Sequence, residues 1–135
     1  MNPIKVLVVE DSETGRMLIQ SILEEIDNVE VSMISSGKSA VKKIETLLPH
    51  LVLLDIMLPD VSGFEILENI QTTMKANHIS VVMVSALDDK LNINRAYSLG
   101  VTDYITKPIG INKFNERIKK LISEIKLKKL LVSQN

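Results

Sequence analysis

The chain has no cysteine and no tryptophan, and aromatic residues make up 3% of it. Without thiols it can form neither a disulfide nor a thiolate metal site. With so few rings its core must come from Val, Ile, Leu and Met, side chains suited to parallel strands buried on both faces. An excess of one charge is missing too: 16 basic against 17 acidic residues leave a net charge of −1. That balance gives no global reason to bind nucleic acid or a membrane. No apolar run approaches the ~20 residues of a membrane span. Met1-Asn2-Pro3-Ile4-Lys5 lacks the basic start and apolar stretch of a signal peptide, so a cytoplasmic location is the default expectation.

What is present fits one globular domain. The 135 residues are 45% hydrophobic and 24% charged. A chain of that length buries about two-thirds of its unfolded surface. Ile4 to Val9 reads as a strand, with Glu10-Asp11-Ser12 after it as a helix cap. Met17, Leu18, Ile22 and Leu23 then take helical spacing. Val29 to Met33 alternates like a strand, and Ala40, Val41, Ile44, Leu47 and Leu48 form a helical stripe stopped by Pro49. Leu51-Val52-Leu53-Leu54 is the short continuous run of a central strand and leads straight into Asp55.

Pro59 to Gly63 is loop chemistry, and Phe64 to Met74 reads as one helix. A fourth strand runs from Ile79 to Val84 and ends at Ser85. A helix carrying Ala96 and Leu99 closes at Gly100. Tyr104-Ile105 lies in a fifth strand that ends at Lys107-Pro108, and the last helix starts near Ile111. Strand and helix thus alternate five times, which predicts a parallel sheet with helices on both faces. Residues 1–126 form the expected domain, and 127–135 a C-terminal helical extension or linker.

Ligands of such sheets bind beyond the carboxyl ends of the strands. This chain places Glu10 and Asp11 after the first strand, Asp55 after the third, Ser85 at the fourth and Lys107 after the fifth. Crowded carboxylates repel, and at least one pKa rises unless a cation intervenes. Oxygen donors without Cys or a nearby His suit a hard ion such as Mg²⁺. Lys107 supplies positive charge, and Ser85 a hydrogen bond, for phosphoryl oxygens. An Asp facing a metal and a Lys is a phosphoryl acceptor, because such transfer depends on positioning and charge neutralisation. Each residue also has a plain reading by itself: Asp55 and Glu10-Asp11 as helix caps, Ser85 as a loop cap, Tyr104 as a half-buried strand residue.

Four segments together are far more specific than any one. Val8-Val9-Glu10-Asp11, Leu53 to Gly63, Val84-Ser85-Ala86 and Asp103 to Pro108 resemble the signatures of the response-regulator receiver family. The resemblance spans about nine-tenths of the chain. It implies a flavodoxin-like receiver fold with strand order 2-1-3-4-5. It implies that a histidine kinase or histidine phosphotransfer protein phosphorylates Asp55. Asp11, Asp55 and the Met57 backbone carbonyl would bind Mg²⁺, with Glu10 acting there too, through water or directly. Lys107 and Ser85 would hold the phosphoryl group, and Tyr104 would swing inward behind Ser85 as the family's switch. The Lys107-Pro108 bond is typically cis in this family. Glu10 departs from the usual Asp, and Val101 from the usual small Ala.

The resemblance also implies no enzyme activity beyond the chain's own phosphorylation and dephosphorylation. The output would pass to an effector domain, a downstream protein or a phosphorylation-promoted homodimer. Ile93 and Tyr97, four apart on one helix, together with Tyr104, are the expected partner face. Met57 and Leu87, two residues beyond Asp55 and Ser85, are apolar and cannot orient a water, which predicts slow self-hydrolysis. A haloacid-dehalogenase-like phosphatase is the alternative enzyme, but it needs its nucleophile after the first strand and a second Asp two residues on, where this chain has Met57. A flavin- or nucleotide-binding module would want a Gly- or Ser/Thr-rich loop in place of Glu10-Asp11-Ser12-Glu13. A degenerate receiver acting as a plain interaction module is a further alternative. His50 and His78 are isolated and read as surface or loop residues. The lysines of the last helix read as a solvated face rather than a nucleic-acid surface.

Overall fold

The protein is described here over residues 2–133, from a computed structural model. Five strands form one parallel sheet: β1 Ile4–Val9, β2 Val29–Ile34, β3 Leu51–Leu54, β4 Ser80–Ser85 and β5 Asp103–Thr106. Their order is β2-β1-β3-β4-β5, as the resemblance implied. Six helices connect and flank them: α1 Glu13–Leu23, α2 Ala40–Leu47, α3 Gly63–Asn69, α4 Gln71–Ala76, α5 Lys90–Ser98 and α6 Ile111–Ser133.

Alternate residues of each strand feed two separate cores. Leu7, Val9, Val52, Leu54, Val81 and Met83 face α2, α3, α4 and α5, where Ala40, Ile44, Phe64, Leu67 and Ala96 meet them. Val6, Val8, Leu51, Leu53, Val82 and Val84 face α1 and α6, packing on Ile19, Ile22, Phe114 and Ile118. Burial on both faces explains why β3 is apolar throughout. Phe114 is fully buried, and truncating such a ring to Ala costs about 3–5 kcal/mol. Val101 is buried in the first of these cores, so its departure from Ala is a packing change.

One expectation needs correction. The apolar pattern from Phe64 to Met74 is not one helix; it breaks at Ile70 between α3 and α4. A continuous helix would give the Leu67 carbonyl to the Gln71 amide. Instead that carbonyl accepts from Gln71 Nε2 at 2.9 Å, and the same nitrogen donates to the Leu99 carbonyl at 2.7 Å. A side chain inserted into the ladder is an established cause of such a break. As far as the description reaches, the residues after 126 continue α6, which runs unbroken to Ser133. Gln134 and Asn135, also assigned to the extension, lie outside the described residues.

α1 starts at Ser12, whose Oγ accepts from the Gly15 N–H at 3.1 Å, and α5 ends at Gly100 with φ +91°. The glycine takes the left-handed position that a side chain resists. Among the described residues, no helix is long and apolar enough to cross a membrane.

Candidate functional site

The carboxyl ends of β1, β3, β4 and β5 bring the expected residues to one rim. Parallel pairing sets Val9 beside Leu54, so Glu10 and Asp55 leave adjacent strands at the same level. Ser85 pairs with Thr106, so Lys107 emerges next to Ser85. The Asp55 N–H donates to the Val9 carbonyl at 3.1 Å, and the Lys107 N–H to the Ser85 carbonyl at 2.8 Å. These bonds extend the ladders to the functional residues and fix their height on the rim.

Glu10 and Asp55 are buried, at 2% and 5% exposure, and Ser85 is fully buried. Asp11 is exposed. Ligand oxygens of Glu10, Asp11 and Asp55 all lie within 4.8 Å of one another. Lys107 Nζ donates to Asp55 Oδ2 at 2.9 Å and to Glu10 Oε1. The other Asp55 oxygen, Oδ1, accepts the Met57 N–H at 3.1 Å. Glu10 Oε2 is buried without a hydrogen-bond partner among the described residues.

Burial pushes the Glu10 carboxyl above its usual range, and Asp55 beside it acts the same way, while Lys107 works in the opposite direction. Burial disfavours the Lys107 charge, but hydrogen bonds to Glu10 and Asp55 outweigh it and hold its pKa above the ordinary value. The cluster is therefore two buried carboxylates sharing one ammonium, with excess negative charge and a vacant lone pair. A hard divalent cation answers both defects. The residues present fit such an ion: Glu10, Asp11 and Asp55 could hold it, and open access at Asp11 leaves room for water and a ligand oxygen.

Ser85 and Tyr104, the expected switch residues, are linked through Leu87, which was expected to flank the phosphoryl group instead. Ser85 Oγ accepts the Leu87 N–H at 3.3 Å, and Tyr104 donates its hydroxyl to the Leu87 carbonyl at 2.6 Å. Burial raises the Tyr104 pKa, so it stays a donor. Tyr104 is 6% exposed and already lies inward. This revises the expected partner face. Tyr104 is buried, Ile93 packs partly into the core beside Ala96, and only Tyr97 stands out, at 46% exposure. The helix turns Ile93 toward the sheet because it lies three residues before Ala96, the core contact of α5.

Glycines permit the close packing around the acids. A Cβ on Gly63 would fall 2.2 Å from the Asp55 carbonyl oxygen and 2.7 Å from Ile56 Cα. One on Gly15 would fall 2.6 Å from Glu10 Oε1. Arg16, unremarked in the sequence, donates to the Glu10 and Asp11 carbonyls, each at 2.8 Å, and holds the loop that carries both acids. Nothing in its local pattern signals that role. The Lys107-Pro108 bond is cis, as the resemblance implied. His50 is not a plain surface residue: it is half-buried, and its Nδ1 accepts the Lys5 N–H at 2.9 Å.

Residues 6–119 match the family described as "Response regulator receiver domain". A protein-glutamate methylesterase/protein-glutamine glutaminase of Trichodesmium erythraeum is 36% identical over 134 residues, covering 94% of this chain and 38% of that protein. The chain thus spans about two-fifths of that relative's length. The polar-differentiation response regulator DivK of Brucella ovis is 33% identical, over 88% of this chain and 96% of its own. The crystal structure of a signal receiver domain from Vibrio parahaemolyticus superposes with a TM-score of 0.82 at 26% identity, covering 97% of this chain and 98% of that one. With its motifs, strand order and acidic rim in agreement, the chain belongs to the response regulator receiver family.

Proposed function

We propose that this chain is a working phospho-receiver, taking a phosphoryl group onto Asp55 from the phosphohistidine of a histidine kinase or phosphotransfer protein. The observation that carries this reading is the Asp55 carboxylate itself. It is buried at the end of β3, held by Lys107 on one oxygen and by the Met57 N–H on the other, within reach of two further acids.

Asp55 offers an oxygen for bond formation with phosphorus, and the P–N bond to the donor histidine breaks. Lys107 can neutralise a phosphoryl oxygen, and Ser85 can donate its hydroxyl to another. Mg²⁺, held by Glu10, Asp11, Asp55 and the Met57 carbonyl, would supply the charge neutralisation that phosphoryl transfer needs. A phosphoryl oxygen that takes the Ser85 hydroxyl as donor would reorient a side chain whose Oγ also accepts the Leu87 N–H, and Leu87 in turn holds Tyr104. That shared anchor is how new charge at Asp55 would reach the β5 face. Output then passes to an effector domain, a downstream protein or a second phosphorylated copy, in the cytoplasm. The chain's chemistry is confined to its own phosphorylation and dephosphorylation. Asp55 follows β3 rather than β1, and no second Asp stands two residues on, which disfavours the phosphatase reading.

Incubation with acetyl phosphate and Mg²⁺ should add one phosphoryl mass to the intact chain, and Asp55→Asn should abolish the gain. A parent protein that gains no mass at any Mg²⁺ concentration would leave the degenerate receiver as the better description.

A further inference from the structure

Two loops at the carboxyl rim interlock through a side chain outside the acidic pocket. Asp60, between β3 and α3, accepts from Ser36 Oγ at 2.7 Å, from the Lys38 N–H at 2.8 Å and from the Gly37 N–H at 3.0 Å. It also accepts from its neighbour's Val61 N–H at 3.0 Å. The first three donors belong to the loop between β2 and α2. Gly37 makes the approach possible, since a Cβ there would fall 2.4 Å from Val61 Cγ2 and 3.0 Å from Asp60 Oδ1. Hydrogen bonds to a carboxylate are about twice as strong as neutral ones. Four converging on one group make a clasp rather than a passing surface contact.

The clasped loop begins at the phosphoryl-acceptor site. Its first residues, Ile56 and Met57, follow Asp55 directly, and the Met57 N–H orients Asp55 Oδ1. The base of the loop is closed by the Ile56 carbonyl, which accepts from the Leu58 N–H at 3.2 Å and the Gly63 N–H at 2.8 Å. Met57 gains little from packing, because it is 58% exposed. Leu58 and Val61 pack partly against the core, and the Asp60 clasp adds the polar anchor that ties the loop to its neighbour.

We infer that Asp60 is a positioning residue: by fastening loop 57–62 to the β2–α2 loop, it fixes the Met57 backbone beside Asp55 and sets the affinity of the acidic pocket for Mg²⁺. This inference rests on the receiver reading and deepens it. It also makes the β2–α2 loop, which holds no acid of the pocket, part of the apparatus that tunes it.

The test is Mg²⁺ titration of the full chain by calorimetry, with amide hydrogen exchange at Gly37 and Lys38 as the local readout. In Asp60→Ala the dissociation constant should rise about 10-fold, the low end of what losing an outer-shell partner costs, and both amides should exchange faster. Asp60→Asn keeps one acceptor oxygen and should recover part of the affinity. Ser36→Ala removes the 2.7 Å bond alone and should raise the constant by roughly 2-fold. The Mg²⁺ concentration for half-maximal phosphorylation by acetyl phosphate should rise in step. Should Asp60→Ala fail to fold, Asp60→Asn and Ser36→Ala carry the test. Faster exchange at Gly37 and Lys38 with unchanged Mg²⁺ affinity in these variants overturns the inference. If the parent binds Mg²⁺ yet takes no phosphoryl group, the receiver reading fails while the clasp stands.

Discussion

The two rims of one sheet treat polar groups in opposite ways. At the carboxyl rim, the Glu10 and Asp55 carboxyl groups are buried, share one lysine, and leave Glu10 Oε2 without a hydrogen-bond partner among the described residues. At the amino rim, His50 satisfies what it meets: its Nδ1 accepts the Lys5 N–H, its own N–H donates to the Lys5 carbonyl, and its carbonyl accepts the Ser80 N–H. One end of the sheet is finished and the other is left in deficit. A deficit of hydrogen bonds and an excess of like charge reduce stability, so they persist where a ligand is to supply what is missing.

The sharpest way to break this contrast is to crowd the loaded rim. Gly63→Ala would drive a Cβ into the Asp55 and Ile56 backbone, which cannot yield as a side-chain tip can. Chemical denaturation should show a loss of about 3 kcal/mol, the upper end for overpacking. A loss under ~0.5 kcal/mol would mean that the loop reshapes freely, and the rim is less constrained than its geometry implies.

Met57→Asn comes next. It sets a polar group where the exposed Met57 now offers none. Dephosphorylation followed by mass spectrometry should quicken about 10-fold if the amide orients an attacking water. The same half-life as the parent would show that something other than apolar flanking sets the lifetime.

Glu10→Gln separates stability from function. Removing one of two crowded buried carboxylates should raise stability by about 1 kcal/mol in the absence of divalent ions, while Mg²⁺ affinity falls. A variant less stable than the parent would show that the Lys107 pairing outweighs the repulsion, and the rim would no longer count as strained.

The smallest effect belongs to the finished rim. Burial, with Lys129 and Lys5 nearby, holds the His50 pKa below its usual value of 6.5. The unfolded chain therefore takes up a proton first as pH falls, and stability declines below pH ~6.5 toward the lowered folded value. Above that window both states are neutral there and the contribution is flat. Thermal melts of His50→Asn should show a shallower slope as pH falls below ~6.5. Equal slopes in the two proteins would assign the acid sensitivity to other groups.

Much of this was legible in the residue string. Leu51 to Leu54 running into Asp55, and the acid, hydroxyl and lysine after successive strands, locate the rim because a parallel sheet delivers every strand's carboxyl end to one edge. The asparagine-like turn chemistry of Asp60 was a weak signal of a bonded loop, without any sign of its donors. Arg16 gave none, since a guanidinium on an exposed turn of helix looks the same whether or not carbonyls lie under it.

By itself the sequence determined the alternation of elements, the two-faced strands and the set of groups at the rim, because periodicity and chain order are local properties. Only the tertiary structure decided that Lys107 serves Glu10, 97 positions away, as well as Asp55. It alone decided that the Phe64–Met74 pattern breaks at Ile70, that Tyr104 points inward, and that Asp60 ties two loops. The reason is common to all four: each depends on a partner brought close by folding, and apolar spacing carries no record of which distant donor will arrive.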